Sequence, residues 1–408
     1  MAKVKITKSQ AKRAVKAVKK MSPAHIFLAV IILIVAVGGY FAYTKFFKDK
    51  YIAPTGELEF HFMELGNASA GDCVYIKAGD NDILIDGGST TGSLGTIVEY
   101  LNTKMTDKTF EYVIVTHGHE DHIACFAGSE NGDSLFDLYE VEVLIDFPKT
   151  NNKSKTLDRY YSERQAEIDD GNTVYYTALQ CYNGQDGAKR FYNLSDDGNI
   201  KFEILYNYFY DHVAGDENDN SVCVQFHHGS RKFLFTGDLE HEGEEKLAEF
   251  YDFSQVELFK AGHHGSPTSS TEVLLQEIKP KICVACCCAG SVEYTDYLPN
   301  TFPSQAFYQR VSAYTDKIYV PSTVNRVVNT KDPTTTHQIT NGKEITITNY
   351  SNGTELKSLH GNITVISSST QDEPIVNCTG EKVVLKDTAW FKEMSALWEV
   401  YEKMKDDA

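Results

Sequence analysis

Apolar and polar positions alternate with a period of two over Glu57–Leu65, recur over Val74–Lys77, and close into an apolar run, Ile83–Ile85, that a glycine pair stops at Gly87–Gly88. These are strand signals. A helical pattern follows over about Leu94–Met105, and the β-branched run Tyr112–Val115 leads straight into the polar turn Thr116–His122. Further strands are predicted at Val141–Ile145, Lys201–Tyr206, Ser221–Phe226, Lys232–Phe235, Val256–Lys260, Lys281–Cys288 and Lys317–Val320. Helices are predicted near Leu157–Ile168, Glu242–Phe250, Ser270–Glu277 and Gln305–Thr315. Around residues 321–336 the chain turns polar, short strands alternate from Gly342 to Leu385, and Trp390–Met404 has an amphipathic helical spacing. No repeat of 20–50 residues is visible.

One segment follows neither period. Ala24–Tyr43 is an uncharged stretch of 20 residues, the length that crosses about 30 Å of hydrocarbon as a helix. Charge sharpens its meaning. The first fifty residues carry 11 of the 39 Lys+Arg and one of the 57 Asp+Glu, or +10, against −28 on residues 51–408. Lysines ahead of an apolar span predict an N-terminus in the cytoplasm and everything beyond about Tyr51 outside. The run is longer than a signal-peptide core and has no A-x-A-like cleavage site after it, so an uncleaved single-pass anchor is expected. The domain plan is then a basic cytoplasmic tail over 1–23, an anchor over 24–44, a tether over 45–56, a folded domain over 57–322, and a small β-rich module with a C-terminal helix over 323–408.

At 408 residues, 42% hydrophobic and 24% charged, the chain lies in the globular range, which excludes a disordered or collagen-like protein. Its nine cysteines are odd in number and lack paired metal-ligand spacing, so a disulfide framework and a structural zinc site are not expected. Cys283, Cys286, Cys287 and Cys288 read as part of a buried strand.

The chemistry concentrates in His117-Gly-His119-Glu-Asp121-His122. Residues i and i+2 of an extended segment point the same way, so His117 and His119 converge on one cation; a helix starting there turns Asp121 and His122 toward a second position. Glu120 is expected to be an exposed turn residue. Phe235-Thr-Gly-Asp238 and Ala261-Gly-His263-His264-Gly-Ser266 each end an apolar strand and deliver another ligand type.

Together with Ile85-Asp86-Gly-Gly88, this set resembles the metallo-β-lactamase superfamily, whose HxHxDH motif is highly specific. The resemblance covers residues 57–322 and implies an α/β fold, an αββα sandwich with its motifs along one sheet edge. By position it implies His117 and His119 at one metal, Asp121, His122 and one of His263/His264 at the other, and Asp238 between them, with Asp86 supporting the ligand loops through hydrogen bonds. Asn67–Asp72, Asn218–Ser221 and Gly262–Ser266 narrow the resemblance to the extracytoplasmic nuclease-type domain of ComEC competence proteins, a pattern much of which phosphorylcholine esterases share. One span cannot form a DNA channel, so a stand-alone ComEC-like hydrolase is implied.

The superfamily's third histidine for the first metal is replaced here by Asn218-Asp219-Asn220-Ser221. A hairpin turning at His228–Ser230 sets Asn220 opposite Asp238, within slippage of register. Asp219, Asn220 or Ser221 is then a candidate third ligand or substrate contact, while His227 and His228 fall in a solvated turn. Neighbouring histidines diverge on an extended backbone; His263 is taken as the ligand, leaving His264 and Ser266, with Asp121, as catalytic candidates. Zn is the expected cofactor, as one or two ions, with Mn an alternative. A bound divalent ion lowers the pKa of its water from 15.7 to about 7 and so makes a hydroxide nucleophile. The resemblance favours a phosphodiester substrate, DNA or a phosphorylated surface polymer such as phosphorylcholine-decorated teichoic acid. The acidic balance of residues 51–408 argues against long nucleic acid. Hydrolysis of a carboxylic ester, lactone or β-lactam, and a non-catalytic metal-bearing surface protein, are the alternatives. No protein partner is inferable.

Overall fold

The structure, a computed structural model, describes residues 57–295, 297–328, 335–340, 343–348 and 350–406. The expected tail, anchor and tether over residues 1–56 lie outside the described residues. Among the described residues no helix is long and apolar enough to cross a membrane.

Two sheets form the centre. The chain runs through β1 (Leu58–Phe62), β2 (Val74–Ala78), β3 (Asn81–Ile85), helix α1 (Leu94–Leu101), β4 (Thr109–Ile114), α2 (Glu120–Ala127), β5 (Glu140–Asp146), α3 (Lys155–Asp169) and β6 (Val174–Thr177). It continues through β7 (Phe191–Asn193), β8 (Ile200–Ile204), β9 (Val224–His228), β10 (Arg231–Phe235), α4 (His241–Phe250), β11 (Leu258–Lys260), α5 (Glu272–Ile278), β12 (Ile282–Val284) and β13 (Cys288–Ala289). The last part comprises α6 (Gln305–Ser312), β14 (Ile318–Tyr319), β15 (Ser322–Val328), β16 (Thr335–Thr340), β17 (Lys343–Thr348), β18 (Tyr350–Ser358), β19 (Ile363–Ser367), β20 (Ile375–Cys378) and α7 (Ala389–Asp406). The first sheet has the order β20-β19-β1-β2-β3-β4-β5-β6, the second β14-β12-β11-β10-β9-β8-β7. Strands β3 to β6 run parallel, as do β10, β11, β12 and β14, so their carboxyl ends line up.

The sheets meet through aromatic side chains. The ring of Phe60 on β1 lies 5.4 Å from Phe226, 4.8 Å from Phe233 and 5.5 Å from Phe235, all on β9 and β10. Alternation then sends Leu234, Phe259 and Cys283 to the opposite face of the second sheet, where they are buried with Leu247 of α4, Leu275 of α5, Phe307 of α6 and Met394 of α7. Helices α1, α2 and α3 bury Ile97, Phe126 and Tyr160 in the first sheet's core. The result is the helix–sheet–sheet–helix sandwich that the resemblance implied.

The module expected over 323–408 does not stand apart. Strand β19 pairs antiparallel with β1 and then with β20, covering what would be an open sheet edge, and α7 contributes Trp390 and Trp398 to the second core. Residues 329–334, in the polar stretch where the boundary was expected, lie outside the described residues. All nine cysteines are free and buried.

Candidate metal centre

The site forms where four carboxyl ends converge: Asp86 follows β3, Thr116 and His117 follow β4, Asp238 follows β10, and His263 and His264 follow β11. The turns are tight. Gly237 has φ +55°, and a Cβ there would meet Ser221 Oγ at 2.7 Å. Asp86, at φ +61°, and the histidine pair, at +42° and +55°, are left-handed without being glycine, strain that the surrounding contacts must hold in place.

His117 and His119 lie on extended backbone and α2 starts at Glu120. Nε2 of His117 lies 3.1 Å from Nδ1 of His119. The first turn of α2 carries Asp121 and His122 inward: the His117 and His122 rings are 4.1 Å apart and the His122 and His264 rings 5.1 Å. Nε2 of His122 and Nε2 of His264 each sit 3.0 Å from Oδ2 of Asp238, and His264 Nε2 is 3.3 Å from Oδ2 of Asp121. Behind His122, Asp86 Oδ2 is 2.8 Å from Nδ1, while the Thr116 amide and hydroxyl donate to Asp86 at 2.7 and 2.8 Å. Asp86 therefore orients a ring through a hydrogen bond and does not face the cluster's centre.

The histidine pair is reversed relative to the sequence expectation. His264 is fully buried among Asp72, Asp121 and Asp238. His263 turns outward, its Nδ1 2.9 Å from Oε1 of Glu240. The expectation assumed extended backbone; two consecutive left-handed residues rotate the pair the other way. Ser266, a catalytic candidate from the sequence, is buried with its hydroxyl 2.7 Å from Thr268 Oγ1 and accepting the Thr268 amide at 3.1 Å, so it closes its own loop.

Residues 219–221 also do structural work. The β9–β10 hairpin has a two-residue turn, with Gly229 at φ +61°, and its register extends to Ser221, not Asn220, opposite Asp238. Asp219 accepts the amides of Glu240 and Gly243 at 3.0 and 3.2 Å. Asn220 donates to Glu217 at 3.0 Å. Ser221 Oγ accepts the Asp238 amide at 3.0 Å and lies 3.5 Å from His117 Nδ1. His227 lies 3.4 Å from Glu203, and His228 is buried against Ser367 of β19 at 2.9 Å; the turn residues Gly229 and Ser230 are exposed, as expected, but the two histidines before them are not.

Two groups were missed. Asp72, just before β2, has Oδ1 3.3 Å from His264 Nδ1. Lys260, the last residue of β11, contacts Asp72 Oδ2 and lies 3.1 Å from Asp238 Oδ1. Their signals were positional: Asp72 closes the Asn67–Asp72 stretch and Lys260 directly precedes the histidine loop. In front of the cluster opens a cleft of about 530 Å³ lined by His119, Asp121, Glu217, Asn218, Glu240, His263 and Tyr294 among others. The Tyr294 hydroxyl donates to Asp121 at 2.9 Å. Glu120 lines the same cleft.

Electrostatics bind the cluster together. Burial alone would lower the pKa of His122, but Asp238 and Asp86 outweigh it and push it up to about 10. His264 is raised well above the histidine range against the same burial, by Asp238 and Asp72. Burial and the neighbouring His122 hold His117 well below that range. Asp72, His122, Asp238 and His264 place ligand-type atoms within 4.8 Å of one another. Both ring nitrogens of His264 and Oδ1 of Asp72 are buried without an aligned hydrogen-bond partner. Buried polar atoms left so are rare unless something else satisfies them. Imidazoles and carboxylates crowded in this way suit a divalent cation, so the residues present fit a metal.

Residues 66–128 and 211–289 match the metallo-beta-lactamase superfamily. Over 269 residues the chain is 24% identical to ComE operon protein 3 of Bacillus subtilis (strain 168), a match covering 60% of this chain and 30% of that protein. Over 106 residues it is 36% identical to competence protein ComA of Neisseria gonorrhoeae, covering 25% of this chain and 14% of that protein. The matches thus span under a third of these curated relatives. Among solved structures, the metallo-beta-lactamase fold protein YhfI from Bacillus subtilis shares 13% identity with a TM-score of 0.35, covering 64% of this chain and 95% of that one.

Proposed function

Because this chain belongs to the metallo-beta-lactamase superfamily of metal-dependent hydrolases, in its ComEC-like branch, we propose that it hydrolyses a phosphodiester on the outer side of a membrane. The observation that carries the reading is the shared approach of His122 and His264 to Asp238 Oδ2 at 3.0 Å each, beside the His117–His119 nitrogen pair. His117 and His119 would hold one ion, Asp121, His122 and His264 a second, and Asp238 would serve both. Divalent ions bound there supply Lewis acidity and lower the pKa of water. The chain's own part is to orient these donors: Asp86 fixes His122, the Ser221 hydroxyl holds the Asp238 amide, and the Tyr294 hydroxyl sets Asp121 at the mouth of the cleft.

The competence relatives support a nucleic-acid phosphodiester. The cleft qualifies that choice, because its wall carries Glu120, Asp216, Glu217 and Glu240 and none of its lining residues is Lys or Arg. A long polyanion would be repelled there, which favours a short or single phosphodiester. The same acidic wall favours, as a second reading, an uncharged carboxylic ester or lactone. The basic, apolar head over residues 1–50 supports a single-pass anchor with the N-terminus in the cytoplasm.

Purified protein loaded with Zn²⁺ or Mn²⁺ and offered bis(p-nitrophenyl) phosphate, p-nitrophenylphosphorylcholine, single-stranded DNA and nitrocefin tests the reading. Turnover of the phosphodiesters supports it; turnover of nitrocefin alone moves the protein to carbonyl chemistry, and inertness on all four to a metal-bearing binding protein. Protease accessibility of the C-terminus in intact cells tests the topology.

A further inference from the structure

The carboxylate of Asp72 is 2% exposed and lies at the back of the site. Its Oδ1 is 3.3 Å from Nδ1 of His264 and its Oδ2 3.9 Å from Nδ1 of His122. Both rings present the opposite nitrogen, Nε2, to Asp238. The two nitrogens of an imidazole diverge, so a carboxylate at Nδ1 stands behind the ring and not at the point where the Nε2 atoms converge. Asp72 thus has toward His264 the placement that Asp86 has toward His122.

Lys260 completes the arrangement. Its ammonium contacts Asp72 Oδ2, lies 3.1 Å from Asp238 Oδ1 and donates to the Gly237 carbonyl at 3.0 Å. It is 1% exposed. A buried ammonium stays charged only when paired, and here the pairing sorts the oxygens of Asp238: Oδ1 is taken by the lysine and Oδ2 is left facing His122 and His264. The same ammonium offsets the negative charge of the extra carboxylate.

We propose that Asp72 and Lys260 are positioning residues of the metal centre: Asp72 receives the Nδ1 proton of His264 and so commits its Nε2 to the cation, while Lys260 fixes Asp72 and turns one defined oxygen of Asp238 to the metal. This rests on the metal-dependent reading above. A ring nitrogen that binds a cation is unprotonated, so the remaining proton must sit on the other nitrogen, and a carboxylate partner there sets ring orientation and donor strength. The Asp72 Oδ1 to His264 Nδ1 distance is 3.3 Å.

The test is metal affinity, read by competition with a chromophoric chelator for Zn²⁺ and Mn²⁺ on the full chain, with the urea midpoint of the metal-free protein alongside. Asp72→Asn keeps the shape and removes the charge; affinity is expected to fall about 10–100-fold, as for Asp86→Asn measured in parallel. Should Asp72→Asn not fold, because Lys260 is left half-paired, Asp72→Asn/Lys260→Met is compared with Lys260→Met, and the same fall between those two is expected. A folded variant within twofold of its reference overturns the inference and leaves the metal-dependent reading intact. Wild-type protein that binds neither ion overturns both.

Discussion

Nε2 of His122 and Nε2 of His264 each lie 3.0 Å from one atom, Oδ2 of Asp238. Two loops that follow strands β10 and β11 and the first turn of α2 meet at that point, and no two of the histidines or carboxylates concerned are neighbours in sequence. Removing Asp238 should therefore cost more than one ligand. Asp238→Ala is expected to lose bound metal, measured by elemental analysis, and to lower turnover by at least about a hundredfold, as for loss of a catalytic electrostatic group.

The reversed pair makes a second prediction. His264→Ala should lose metal content, whereas His263→Ala, which gives up contacts with Glu240 at 2.9 Å and Thr268 at 3.3 Å outside the cluster, should keep its metal within twofold and show its effect in KM. Equal metal loss from the two variants would contradict the placement.

Protonation gives a third. With its pKa pushed up to about 10 by Asp238 and Asp86 over the opposing effect of burial, His122 carries a proton at neutral pH when no metal is bound, and that proton must leave for Nε2 to bind. Metal affinity should rise with pH up to about 10, by about tenfold per unit for each proton released, and calorimetry in buffers of different ionisation enthalpy should show at least one proton per ion. In the metal-free protein the sign is opposite: these ion pairs stabilise the fold fully below the unfolded histidine pKa of about 6.5, and their contribution is lost as pH rises toward 10.

Between the sheets, Phe60 is fully buried against Phe226, Phe233 and Phe235. Phe60→Ala removes a ring from both sheets' shared core and should cost about 3–5 kcal/mol in urea unfolding, with metal affinity of the surviving folded fraction unchanged.

A chain ended at Ser322 tests the C-terminal elements. It would lack β19, which pairs with all of β1, and the Trp390 and Trp398 side chains of the second core. The expected outcome is an insoluble product, since a bare apolar edge strand invites pairing with other chains; a soluble, metal-binding fragment would restore the boundary that sequence polarity suggested.

Local patterns in the chain specified most of the strands and the HxHxDH cluster, because side-chain direction over a few residues follows from backbone period alone; where a helix starts at Glu120, the same patterns predict only a polar turn. The long-range decisions were made elsewhere. Which of His263 and His264 turns inward depends on two left-handed residues that the contacts of a finished loop must hold. The partners of His228, the cover on β1 and the placement of Asp72 behind His264 depend on segments 139, more than 300 and 192 residues apart in sequence respectively. Periodicity carries no information about such pairings, because they arise only when the sheets have packed and buried charges must find partners.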